Sequence, residues 1–136
     1  MAKSYADRAR ALVGTPFRVQ GREAATGLDC AGLIIVTFGL PSAQFRRDYR
    51  LRGDHRLELA RVIALHFRRM PRAQGRPGDL LMLSVARDQL HLAVQTDAGF
   101  VHADAGIGTV VETPGTPKWK TVAVYRRRAR QRKAGV

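Results

Sequence analysis

The chain has 136 residues, 45% of them hydrophobic, which suits one compact domain with a real core and excludes wholesale disorder. Its single cysteine excludes an internal disulfide, so packing alone must hold the fold. The formal net charge is +13; six cations fall in the last eleven residues, RRRARQRKAGV, and subtracting them leaves +7 for a body that still favours anionic partners.

At the N-terminus, MAKSYADRARALVG has no apolar core of signal-peptide length, because Asp7, Arg8 and Arg10 interrupt it. The expectation is a chain made in the cytoplasm with nothing to direct Sec export. Ser4 followed by Asp7 resembles a capping box with Asp in place of Glu. Ala6, Ala9, Leu12 and Val13 recur at helical spacing and predict a first helix ending near Gly14. Residues 14–28, with Pro16, Gly21 and Gly27, read as a structured loop. From Cys30, CAGLIIVTFGL is apolar all round and predicts a buried helix that stops near Gly39 and Pro41. It is also the longest apolar stretch. Crossing a bilayer takes roughly 20 residues, so no membrane insertion is expected. The segment 41–54 is polar and basic, with Phe45, Tyr49 and Leu51 as anchors. Leu59, Ile63, Phe67 and Met70 mark one face of a third helix, which PRAQGRPGD breaks.

The period then changes. LLMLSV, LHLAVQT, GFVHA, TVVET and TVAVYR are short, β-branched or aromatic, and separated by turn residues. Helices first and antiparallel strands afterwards indicate an α+β domain. The domain spans 1–127. The segment 128–136 reads as a basic disordered tail, too poor in apolar surface to offset the entropy of ordering it. It has no interleaved aromatic for base stacking, which argues against specific nucleic-acid binding.

Three residues carry chemistry together. Cys30 opens the buried helix, where the dipole and first-turn N–H groups stabilise a thiolate and can hold an oxyanion. Alone, it reads as a small hydrophobe beginning a core helix. In LHLAVQT, His91, Ala93 and Gln95 share one face of a strand. If the turn is two residues, Asp97–Ala98, Ala93 faces His102, with His91 as the diagonal neighbour on the same face; a three-residue loop without a bulge would separate the two histidines. Two satisfied structural histidines are the plainer reading of that pair. With Cys30, the trio makes sense as nucleophile, proton acceptor (His91) and orienting residue (His102).

These residues sit in a longer frame. GTPFRVQGREAATGLDCAGLI resembles the signature of the NlpC/P60 family, in which a G-x-P-Y stretch and a glycine precede D-C-S-G-L. RPGDLLML resembles the entry to its first central strand, and LHLAVQTDAGFVHADAGIGTVVE the strand pair with its two histidines. The resemblance covers about Ala6 to Arg126. It implies a papain-like fold with N-terminal helices packed on a C-terminal antiparallel sheet. It also implies a Cys30–His91–His102 cysteine peptidase acting on peptidoglycan stem peptides, often between D-γ-glutamyl and diaminopimelate. GxPFRxxGR and GLDC are most similar to the compact peptidases of phage tails and gene transfer agents. That implies tail or baseplate partners and delivery to the wall by a particle.

The substrate-binding candidates implied are Asp29, Phe17 and Ala31, the last two standing where Tyr and Ser are usual. Asp29 reads equally well as a plain N-cap. His55, in a charged loop, and His66 read as surface residues, and Trp119 as a core or rim aromatic. No metal-ligand spacing or phosphate loop is present, so no metal or cofactor is expected. The alternatives are a structural tail-tip component with a little-used site, or a related acyltransferase or amidase on another substrate.

Overall fold

The computed structural model describes residues 4–45, 55–87 and 89–129. Helix α1 spans Tyr5–Arg10, and Ser4 caps it by accepting the Asp7 N–H at 3.1 Å. It stops short of Gly14. The chain beyond it is claimed by the sheet: Gly14 N–H donates to Val110 O, Val110 N–H donates to Thr15 O, and Pro16 bridges Thr109. The loop that follows holds two short strands, β1 (Arg22–Glu23) and β2 (Gly27–Leu28).

Helix α2 spans Cys30–Phe38 and ends at Gly39, whose φ of 65° is the left-handed cap expected of glycine. Leu33, Ile34, Ile35 and Phe38 are all buried, as an all-round apolar helix requires. Phe45 is buried too; Tyr49 and Leu51 lie outside the described residues. Helix α3 spans His55–His66, so His55 begins a helix rather than sitting in a loop.

The helical spacing through Phe67 and Met70 misleads. Residues 67–70 form β3 (Phe67–Met70), an edge strand antiparallel to β8 (Lys120–Arg127), with Phe67 opposite Arg127. Four apolar positions cannot separate a continuing helix from a strand that happens to bury its first residue. Pairing with β8 decided between them. Phe67 is buried either way and meets the Phe38 ring edge-on at 4.9 Å.

The strands β4 (Leu80–Ala86), β5 (Gln89–Gln95), β6 (Gly99–Asp104) and β7 (Thr109–Pro114) complete a six-stranded antiparallel sheet, ordered β3-β8-β4-β5-β6-β7. Its helix-facing side supplies Leu80, Met82, Leu92, Val94, Val101 and Val110 to the main core. Each fully buried residue of this size contributes roughly 1.5–3 kcal/mol. The opposite face carries a smaller cluster of Leu81, Leu83, Ala93, Phe100 and Val124. Asp79, 2% exposed, opens β4 and is clamped by Arg126 through two bonds of 2.9 and 2.8 Å, which ties β8 to the start of β4. The architecture is α+β, with helices on one side of an antiparallel sheet. Residues 130–136, most of the basic tail, lie outside the described residues.

Candidate active site

The β5–β6 turn is the two-residue one. Thr96 N–H donates to Gly99 O, and Gln95 pairs with Phe100 and Val94 with Val101. Gly99 is required there, because a Cβ would lie 1.9 Å from Thr113 O. Continuing that register sets Ala93 opposite His102, with His91 diagonal to it. His91 Nε2 lies 2.9 Å from His102 Nδ1, and the rings meet edge-to-face at 88°. The described β5–β6 pairs end at Val94↔Val101, whereas β4–β5 pairing runs on to Gln89 and β6–β7 pairing to Asp104. The strands part here, and the histidine pair spans the gap.

Helix α2 packs against β5 and β6 and brings Cys30 to this opening. Cys30, His91 and His102 line one cleft of about 630 Å³, together with Phe17, Asp29, Asp104 and Trp119. Packing under Cys30 is tight. A Cβ on Gly32 would lie 2.0 Å from Gly21 O, so the 14–28 loop can rest on α2 only over a glycine. Asp29 then works as an N-cap. Its carboxylate accepts Gly32 N–H at 2.8 Å, Gln20 N–H at 3.0 Å and the buried Arg22 guanidinium at 2.6 Å. It also borders the cleft.

Ala31 departs from its expected place. Its methyl is 4% exposed, buried under the helix, and does not line the cleft. What it offers the site is its backbone, which hydrogen-bonds the Cys30 sulfur. Phe17 bridges Leu28 and is half-buried on the cleft wall.

The electrostatics run against the thiolate expected at a helix start. Burial, and then the Asp29 carboxylate, push the Cys30 thiol up to about 12; backbone hydrogen bonds from Leu92 and Ala31 and the charge of Arg22 oppose this without prevailing. Burial, and then the charge of His102, push His91 down to about 4, against the opposing pull of Asp104. Burial likewise holds His102 below the ordinary histidine range, again opposed by Asp104. These shifts favour a neutral thiol beside neutral imidazoles. The capped helix end supplies one turn of dipole, and desolvation of the sulfur outweighs it.

Three neighbours were not singled out for the site by the sequence. Trp119 proves to be a rim aromatic, edge-on to His91 at 5.7 Å and to His102 at 5.8 Å. Asp104, two residues after His102 on the same face, was findable from strand alternation alone. Thr113 lies on β7 with its Oγ1 3.2 Å from His102 Nε2, and only the β6–β7 register brings it there. His66 closes α3 and bonds Gln44 at 2.6 Å, away from the cleft.

No curated protein matched. Among solved structures, the P60 domain of an antigen from M. avium subspecies paratuberculosis is similar with a TM-score of 0.60. The match covers 90% of each chain at 23% sequence identity, a likeness of fold. The model of the NlpC/P60 family matches residues 14–128, from the loop before the Cys30 helix to the end of the sheet. This chain therefore belongs to the NlpC/P60 family, generally cysteine peptidases that act on peptidoglycan.

Proposed function

We propose that the chain is a peptidoglycan endopeptidase in which Cys30 is the nucleophile, His91 the general base and His102 the residue that orients His91. The observation that carries this reading is the convergence of the three on one cleft, with the His91–His102 hydrogen bond in place. His91 Nε2 is occupied by His102, which leaves Nδ1 for the thiol. Because the resting thiol and imidazole are both neutral, proton transfer accompanies attack rather than preceding it. As Sγ bonds to the carbonyl carbon, His91 takes the thiol proton. Charge grows on the carbonyl oxygen, and the first-turn N–H groups of Cys30 and Ala31 receive it. His91 then returns the proton to the leaving amine, and the C–N bond breaks to give a thioester. Water, deprotonated by His91, hydrolyses that thioester and frees Cys30. Asp104 favours the imidazolium formed on the way.

Phe17 and Asp29 form the substrate-facing wall in this reading, with Ala31 acting through its backbone. The bond cleaved is D-γ-glutamyl–diaminopimelate in the stem peptide. The protein works from the tail of a phage-like particle, bound to tail or baseplate proteins and carried by them to the wall. The GTPFRVQGR and GLDC wording supports the particle assignment, and the family resemblance as a whole supports the bond. The test is digestion of purified diaminopimelate-type wall, with the released fragments and their new termini identified by mass spectrometry. Wild type should release fragments, and Cys30→Ala, folded to the same melting temperature, should release none. Equal release by the Ala variant overturns the assignment.

A further inference from the structure

Beyond His102 lies a second, smaller cavity of about 250 Å³ lined by Phe100, Asp104, Thr113, Thr116, Lys118 and Trp119. His102, Asp104 and Trp119 border both spaces, and Thr113 Oγ1 lies beside His102 Nε2, the ring nitrogen that the proposed mechanism leaves unused. The geometry points to Thr113 as a positioning residue whose hydroxyl ends a directional hydrogen-bond chain, Thr113–His102–His91, and so keeps His91 Nδ1 free to take the Cys30 proton.

Both imidazoles are neutral at neutral pH, so each carries one N–H. The His91 Nε2–His102 Nδ1 contact of 2.9 Å shares one hydrogen, and only two directions satisfy the chain. In the first, the Thr113 hydroxyl donates to His102 Nε2 and His102 Nδ1–H donates to His91 Nε2. His91 then carries its proton on Nδ1 and cannot accept one from the thiol. In the second, His91 Nε2–H donates to His102 Nδ1 and His102 Nε2–H donates to Thr113 Oγ1. Only this one leaves a lone pair on His91 Nδ1.

Once His91 becomes cationic, its Nε2 is necessarily a donor and the second direction is compulsory. His102 is 3% exposed, so its Nε2–H then depends on a protein acceptor, and Thr113 Oγ1 stands 3.2 Å away. The register explains why Thr113 serves. Val111 pairs with His102, so Thr113, two residues on, shares its face. Asp104 and Lys118 are the charged groups that line this cavity with His102, and the Asp104 charge favours the protonated form of both imidazoles, while the hydrogen bond at His102 Nε2 is to Thr113. One Asp104 oxygen accepts Ile107 N–H at 3.0 Å, and Lys118 Nζ lies over the Trp119 ring.

This inference rests on the peptidase reading for its kinetic arm and on the hydrogen bonds alone for its spectroscopic arm. The experiment compares wild type, Thr113→Val and Thr113→Ser, full length and with matched melting temperatures. Thr113→Ala replaces the valine variant should that fail to fold. Histidine ring ¹⁵N shifts report the tautomers, and turnover is read on purified wall. The expected result is Nε2–H on both histidines in wild type and Ser variant, and a mixed or reversed His91 tautomer in the Val variant. The Val variant should lose about five- to tenfold in kcat with KM unchanged, the scale of one net hydrogen bond, and the Ser variant should stay within about twofold. Wild-type tautomers in the Val variant, or a Ser variant as impaired as the Val one, overturn the role of Thr113. Turnover surviving Cys30→Ala would instead sink the peptidase reading, while the ¹⁵N shifts would still decide the direction of the chain.

Discussion

Cys30 offers a direct test of the neutral resting site, because it is the only thiol in the chain and any alkylation reports on it alone. The perturbation is unfolding. In an unfolded chain the thiol has its ordinary value of 9.0, whereas burial and Asp29 raise it to about 12 in the fold. At pH 8 the folded protein should therefore hold about a thousandfold less thiolate than the unfolded one. A more basic thiolate is a better nucleophile. With a Brønsted slope of about 0.5, that recovers roughly thirtyfold. The net expectation is alkylation by iodoacetamide about thirtyfold slower in the folded protein than in urea, before any steric hindrance in the cleft. The folded rate should also keep rising tenfold per pH unit through pH 9. Stopped samples analysed by intact mass give both rates. A folded rate equal to or above the unfolded one, or a plateau near neutral pH, would reveal a preformed thiolate–imidazolium pair and refute the reasoning. That result would restore the helix-start thiolate expected from sequence.

Other outcomes follow from the same structure. Gly32→Ala should destabilise the fold by about 2–4 kcal/mol in urea titration, because the new methyl meets the Gly21 carbonyl at 2.0 Å. Asp79→Ala should lower stability by removing the carboxylate that ties Arg126 on β8 to the start of β4, with chemical denaturation as the measure. His91 is held at about 4 in the fold against 6.5 unfolded, so between these values the unfolded chain binds more protons. Stability should therefore fall as pH drops from about 6.5 to 4, by at most about 3 kcal/mol, and His91→Gln should flatten that limb in thermal melts across pH. On purified wall, His91→Ala should remove nearly all turnover. His102→Ala should leave a measurable remainder, and His102→Asn or His102→Gln should recover part of it. Equal, total loss from all of them would show that His102 does more than orient.

Much of this protein was written into local pattern. The all-round apolar run from Cys30 could only be a buried helix, and Gly39 could end it because left-handed φ costs glycine nothing. Strand alternation put a turn between Thr96 and Gly99, and the structure made its loop the two residues Asp97–Ala98. A period of two then compelled His91 and His102 onto one face. Other features depended on partners distant in the chain. Residues 67–70 became a strand because β8 was there to pair with them, which no four-residue window can reveal. The thiol's protonation turned on the depth of the cleft and on Asp29, and both opposed the local effect of the helix end. Thr113 joined the histidines only through the β6–β7 register, eleven residues from His102. Periodicity along a segment reports which side faces the core. The partner each polar atom finds there, and the dielectric it feels, belong to the assembled sheet and helices.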